Sequence, residues 1–265
     1  MKPYLAILVP AVLALCAASC NKPAESKHTI AFDTIEQEQS FRLVGSAADY
    51  GVDSDLVYSC EARMLMPSAL CGDQTDTLRQ VILKMAFDTL ETSHTHLIEQ
   101  AFHHAAAEVG YNPVDTVVPS GVYDGCFIVE GDVATLTPAI LSYGVTVSNY
   151  QPYAAHGMYT TNFVNYDFAD SRIFTLKDIF TQQGLDALPA MLKKTARDMR
   201  GFIGPTQLDS LPSGDNFYID NRNNIVFVYQ PYEIASYAQG LIEIPVPAYL
   251  VSDNFTDYGR QLLMN

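Results

Sequence analysis

Residues 56–66, LVYSCEARMLM, alternate with a period of two. Leu56, Tyr58, Cys60, Ala62, Met64 and Met66 share one face, and the residues between them share the other. Successive side chains of an extended strand point to opposite faces, so this stretch reads as a strand with one apolar side turned to a core. Pro67 lacks the N–H that a ladder needs and is expected to close it. Downstream the period changes. Leu78, Val81, Ile82, Met85 and Leu90 recur at helical spacing after a start near Asp73 or Thr77. A second helix is expected over about 93–109, carrying Leu97, Ile98, Ala101, Phe102, Ala105 and Val109 on one stripe and stopping at Gly110.

Strand patterns return at VYDGCFIV (122–129), AILSYGVTVSNY (139–150) and MYTTNFVNYDF (158–168), with Tyr143 on the core side. Thr175 stands three residues before Asp178, a capping-box start for a short helix. A longer helix is expected over about 185–200, with Pro189 tolerated only in its first turn. FYID-NRN-NIVFVY reads as a hairpin with an Asn-rich turn, and GLIEIPV as a last strand before a short frayed tail. Helices grouped between runs of strands give an α+β fold, with antiparallel sheets packed against a few helices in two small subdomains. The expected division is a lipoprotein signal peptide (1–19), a tether and lead-in (20–49), an N-terminal subdomain (50–130) and a C-terminal domain (131–265). No internal repeat or low-complexity tract is read.

The 265 residues are 48% hydrophobic and 17% charged, a globular composition. A net charge of −15 and a pI near 4.6 argue against nucleic acid, whose phosphates demand a basic footprint. Lys2 followed by an apolar run from Leu5 to Ala18 reads as a targeting segment, too short to span a bilayer as a helix. It ends in AASC, which resembles a lipobox. Cys20 is therefore the expected lipidation site in preference to Cys16, which follows the bulky Leu15. Acyl chains on Cys20 would tie the chain to a membrane surface. Asn21 is not the aspartate that retains lipoproteins at the inner membrane in enteric bacteria, so the outer membrane or cell surface is expected.

Cys60, Cys71 and Cys126 remain, an odd number in an oxidising compartment. Buried thiols are the expectation, with a Cys60–Cys126 bridge between strands as the alternative. His94, His96, His103 and His104 suggest a metal cluster, but on a helix they point apart, so a solvated face is expected and no metal or cofactor. The chain holds no GxSxG, HExxH or phosphate-cradling glycine loop. Its distinctive enrichment is aromatic: 16 tyrosines and no tryptophan. Tyr150, Tyr153 and Tyr159 flank His156, which has nothing charged within ten residues on either side; Tyr232 and Tyr237 form a second group with Glu233. Exposed tyrosines can stack on sugar rings or anchor a protein.

Three ordered motifs then resemble a known family. ILSYGVTVSNYQPYAAHG, FTLKDIF and FYIDNRNNIVFVYQPYEIASYAQGLIEIPVPAYL are similar to uncharacterised extracytoplasmic domains. These occur in the lysozyme-sensing anti-sigma factor RsiV and, as an accessory domain, in the peptidoglycan deacetylase PdaC. The resemblance covers roughly 135–250. Its closing motif stands intact as Tyr232, Glu233, Ile234, Ala235, Tyr237 and Gly240. In the loop, Ala155, His156 and Gly157 match, while Tyr153 and Ala154 replace two glycines. The pattern over 55–90 looks like the companion N-terminal domain. The resemblance implies a lipid-anchored binding module recognising peptidoglycan or a basic, lysozyme-like envelope protein, with Tyr150, Tyr153, His156, Tyr159, Tyr232, Glu233 and Tyr237 as candidate ligand contacts. His156 is expected to fix its loop through a hydrogen bond. Alternatives are a glycan hydrolase using His156 and Glu233, and a structural component of a surface complex.

Overall fold

The computed structural model describes residues 10–11, 30–44, 56–70, 75–88, 94–109, 112–116, 124–198 and 214–264. The signal segment (apart from Pro10 and Ala11), Cys20 and Cys71 lie outside the described residues. Eleven strands are described: β1 (Pro10–Ala11), β2 (Ala31–Val44), β3 (Leu56–Ala69), β4 (Asn112–Thr116), β5 (Gly125–Leu136), β6 (Ile140–Tyr150), β7 (Met158–Asp167), β8 (Arg172–Phe174), β9 (Phe217–Ile219), β10 (Asn224–Tyr229) and β11 (Ile242–Pro247). The helices are α1 (Thr75–Phe87), α2 (His94–Glu108), α3 (Leu176–Ile179), α4 (Gln182–Asp198), α5 (Ala248–Val251) and α6 (Asp257–Met264). The fold is α+β, with mostly antiparallel sheets, and no described helix is long and apolar enough to cross a membrane. The chain forms two compact units, one of residues 1–71, 75–132 and 145–160, the other of 72–74, 133–144 and 161–265. Residues 145–160, which the motif order assigned to the C-terminal domain, thus group with the first unit.

In the first unit β3 is the central strand. Leu56, Tyr58, Cys60, Ala62, Met64 and Met66 are all buried, as the alternation requires. They share the core with Leu78, Ile82 and Leu83 of α1 and Ile98, Phe102 and Ala106 of α2. The strand continues through Pro67 to Ala69, because the register with β2 shifts there: Phe32 faces Pro67 and Ala31 faces Ala69. A bulge accommodates a residue without an N–H. β2 runs antiparallel to β3 and also pairs with β1 and β4. β3 and β5 are parallel, Tyr58–Met64 against Gly125–Gly131, a departure from the all-antiparallel expectation. The intervening α1, α2 and β4 supply the long crossover that parallel strands require. Asp124 starts this pairing: its N–H donates to Val57 O at 2.8 Å and its carboxylate accepts from Val57 N at 2.8 Å.

Cys126 lies opposite Ser59, one residue out of step with Cys60. The two thiols therefore point to opposite faces of the sheet and stay buried and unbridged. Burial pushes both up from the ordinary thiol range. His96, His103 and His104 lie on the exposed side of α2 with separate partners: Gln100, the Phe41 ring with Gln39, and Glu108.

In the second unit the three-stranded sheet β11–β10–β9 carries the core, with Phe227 facing Phe217 on one side and Ile244 on the other. The Asn-rich turn forms as read. Asp220 Oδ1 accepts from Arg222 N and Asn224 N at 2.8 and 2.9 Å, and Asn223 takes a φ of 55°. α4 begins earlier than the periodicity indicates, capped by Thr181, whose hydroxyl accepts from Gly184 N at 3.1 Å. Pro189 is consequently interior and forgoes a backbone bond. The buried stripe Gly184, Leu188, Leu192 and Ala196 holds the helix regardless. The tail is not frayed. α5 and α6 bury Val251, Phe255 and Leu263, and Phe255 meets Phe180 edge-on at 5.1 Å. A Cβ on Gly259 would run into the Ile179 carbonyl, so only glycine lets α6 sit against α3.

The capping box is present: Asp178 Oδ2 accepts from the N–H and hydroxyl of Thr175, each at 2.7 Å. Asp178 Oδ1 takes Arg172 Nη1 at 2.8 Å. Arg172 lies 4.1 Å over the Tyr258 ring, and the Tyr258 hydroxyl donates to buried Asp167 at 3.0 Å. Burial pushes the Asp178 carboxyl up, but Arg172 and Thr175 outweigh it and hold it below the ordinary aspartate value. A carboxyl lowered in the folded state stabilises above its unfolded pKa, and that contribution disappears as pH falls through the folded value. Asp178→Asn should therefore cost roughly 1 kcal/mol at neutral pH. The gap in melting temperature from the parent should close as pH drops through and below the ordinary carboxylate range; a gap constant with pH would show that the charge contributes nothing. Gly259→Ala should lower the melting temperature by roughly 5 °C or more, the shift a loss of a few kcal/mol of stability produces. Unchanged melting would mean that α6 moves without penalty.

Candidate functional site

The candidate residues lie in two turns, each following the end of a strand. β6 ends at Tyr150, and the chain reverses over 151–154, where Ala154 N donates to Gln151 O at 3.0 Å. Pro152 occupies the second position, where its fixed φ fits, and Tyr153 the third, with φ 64°. A turn with positive φ at its third position normally takes glycine there, which is the residue of the resembled pattern. Tyr153 is 51% exposed. Gly125 of β5 makes room behind the turn, since a Cβ there would fall 2.6 Å from Tyr150 O and 2.7 Å from Pro152 Cδ. His156 is exposed, and its Nδ1–H donates to the Gly157 carbonyl at 2.9 Å. That bond leaves Nε2 as the acceptor nitrogen of the neutral ring. Tyr150 and Tyr159 are half-buried and Met158 is exposed.

β10 ends at Tyr229, and the second turn spans 230–233. Glu233 N donates to Gln230 O at 3.0 Å, Pro231 is second and Tyr232 third, with φ 70° and 57% exposure. Glu233 also closes the turn with its side chain, Oε2 accepting from Gln230 N at 2.7 Å. Tyr237, on the 3-10 turn Tyr237–Gln239, sets its ring 5.7 Å from that of Tyr232, tilted by 32°. The Gln230 side chain anchors the whole turn, since its amide accepts from Thr161 N at 2.9 Å and donates to Thr161 O at 2.8 Å.

The structure thus brings Tyr232, Glu233 and Tyr237 together in the second unit, and carries Tyr150, Tyr153, His156 and Tyr159 on one segment of the first. The sequence reading missed that the chain enters both turns through the same tetrapeptide: Tyr150-Gln151-Pro152-Tyr153 and Tyr229-Gln230-Pro231-Tyr232. Four residues are far below the period of a structural repeat, so a scan for repeats passes over them. Among the described residues, the other non-glycines at positive φ are Asp88, Ser171 and Asn223, all short and polar. Two bulky aromatics in this region are exceptional, at about 1 kcal/mol or more of strain each. Chemically, the two turns offer aromatic faces, phenol hydroxyls and backbone amides. The Glu233 carboxylate already holds a turn together.

Residues 177–249 match a family described as a protein of unknown function, DUF3298. No protein with a curated description matches the chain. A DUF3298 family member from Bacteroides fragilis NCTC 9343 superimposes with a TM-score of 0.69 at 20% identity, over 91% of this chain and 99% of its own. A DUF3298 family protein from Pseudomonas aeruginosa PAO1 does so with a TM-score of 0.56 at 13% identity, over 86% of this chain and 95% of its own. These likenesses extend the shared fold beyond the matched segment.

Gln230→Leu removes both bonds to Thr161 while keeping the side chain's bulk. Thr161 is buried and its C=O keeps the bond from Asn216 Nδ2 at 2.7 Å, so the loss is that of two hydrogen bonds, roughly 2 kcal/mol. Denaturant unfolding should show this as a lower midpoint at constant slope. A midpoint equal to the parent's would mean that the amide is not what holds the turn.

Proposed function

We propose that this chain is a lipid-anchored binding module of the bacterial cell envelope, attached through Cys20 and recognising peptidoglycan. The observation that carries this reading is the pair of turns that hold Tyr153 and Tyr232 out to solvent on backbone that disfavours them. Strain of this kind persists where surrounding structure enforces it, and it concentrates at ligand sites. Exposed tyrosines suit a ligand with apolar faces and hydroxyl edges, because the ring packs while the phenol hydrogen-bonds. The motif resemblance over 135–250 supports an accessory module rather than a catalytic one. Hydrolysis by His156 and Glu233 ranks lower, since the Glu233 carboxylate is engaged in closing its own turn.

One observation favours a second ligand class. A chain of net charge −15 attracts a basic protein such as a lysozyme, and such steering weakens with salt. Co-sedimentation of the full-length chain, solubilised in mild detergent, with purified peptidoglycan separates the two. Pelleting that persists at high salt is the expected outcome. A chain left in the supernatant at all salt concentrations sinks the peptidoglycan reading. Salt-sensitive capture by immobilised lysozyme in its place would establish the basic protein as the ligand.

A further inference from the structure

We infer that the two Tyr-Gln-Pro-Tyr turns are equivalent sites for one chemical group, an uncharged hexopyranose ring of a repeating glycan, with Tyr153 and Tyr232 as the stacking rings. This rests on the peptidoglycan reading above and deepens it by naming the group and the two positions that meet it.

The equivalence is specific. Both Tyr-Gln-Pro-Tyr segments begin on the last residue of a strand, and the four-residue turn that starts at each glutamine places proline second and tyrosine third. Both close with a backbone bond of 3.0 Å. The third-position φ values are 64° and 70°, and the exposures 51% and 57%. Glycine would relieve both positions, and a smaller polar residue, as at Asn223, would ease them. The two turns belong to different compact units, and the same solution arises in each. A common ligand accounts for it, and a polymer of repeating sugars offers the same ring to both.

Charge decides the class of ligand. Residues 133–166, which contain the first turn, include no Asp, Glu, Lys or Arg. Residues 223–242, which contain the second, include only Glu233, whose Oε2 is bound to Gln230 N. Within a chain of net charge −15, the segments that carry the two turns are thus almost bare of charge of their own, and the overall field repels a polyanion. A neutral pyranose fits such a surface. Its C–H face lies on the aromatic ring, and its rim hydroxyls meet the phenol and amide groups beside it.

Substitution by glycine gives a clean test, since Tyr153→Gly and Tyr232→Gly remove the ring while suiting the backbone. The full-length chain with labelled tyrosine rings is titrated by NMR with the neutral tetramer of N-acetylglucosamine. In the parent, the Tyr153 and Tyr232 signals should both shift with the tetramer. Each glycine variant should lose its own site and keep the other, and the double variant should bind none. Tyr153→Gly should at the same time melt higher than the parent, so that binding falls as stability rises. Titration of only one ring, or binding unchanged in the double variant, overturns the inference. If the parent pellets with peptidoglycan but neither ring moves with the tetramer, the inference fails and the wall-binding reading stands. If both rings move but the chain does not pellet, the inference stands and the wall-binding reading fails.

Discussion

The second unit depends on side-chain amides standing in for a strand. β8 pairs with β7 only from Asn165 to Asp167. Beyond that point the N–H and C=O of Thr161 go to the Gln230 amide, and Phe163 N donates to Asn216 Oδ1 at 3.0 Å. Asn216 Nδ2 also donates to Thr161 O at 2.7 Å and reaches Val228 O at 3.4 Å. Further along, the Ser142 hydroxyl donates to Asn165 Oδ1 at 2.6 Å and accepts from Ile219 N at 3.1 Å, while Asn165 Nδ2 donates to Phe217 O at 2.9 Å. Buried backbone groups must find partners, and here polar side chains supply them at 161 and 163, while Ser142 and Asn165 supply them at 219 and 217. A buried network of this kind is rigid only when every member is satisfied. Gln230 belongs both to this network and to the turn that presents Tyr232. The exposed ring is therefore tied through one residue to the buried Thr161.

The same network explains where sequence reading stops. Ser142 and Asn165 lie in strands whose alternation marks them as solvent-facing, yet they are 0% and 2% exposed. A period-two pattern distinguishes apolar from polar, and it cannot distinguish polar and wet from polar and buried between layers. Where burial is apolar, the pattern was legible: the β3 stripe, most of the α1 and α2 stripes, the β9–β10 hairpin and the Thr175–Asp178 cap all stand where the residues indicate. In α1 the inner face is Leu78, Ile82, Leu83 and Ala86, so the stripe is rotated slightly from the one read through Val81 and Met85. The parallel pairing of β3 with β5 was not legible because neither strand's own pattern encodes its neighbour. The early start of α4 was hidden by weak periodicity before Leu188 and by the habit of treating proline as a first-turn residue.

The candidate residues show a different limit. Composition identifies tyrosine as the unusual feature, and motif order singles out Tyr153, His156 and the 232–240 segment. Neither reveals that Tyr153 and Tyr232 sit at positive φ. Proline in the second position marks a turn but fits type I and type II alike, and only the type with positive φ in the third position demands glycine there. Reading the tyrosines as a compositional excess, rather than by their position after proline, hid the demand they violate.

That violation bears on how binding and stability are partitioned in this fold. A glycine at either turn would be easier to fold and would present no ring. A tyrosine in an unstrained turn would present a ring, but with the rotational freedom of an ordinary surface residue. An anchored turn fixes the backbone from which the ring projects, so a ligand would have less to order on arrival, and ordering entropy is a principal cost of association. The strain is met in the folded state by the bonds that close each turn, and in the second unit also by the Gln230–Thr161 pair. Tyr232 has the further support of Tyr237, whose ring packs 5.7 Å away. A weakly interacting, neutral ligand gains most from this arrangement. Each contact with such a ligand is small, and pre-set geometry then decides whether the sum is enough to bind.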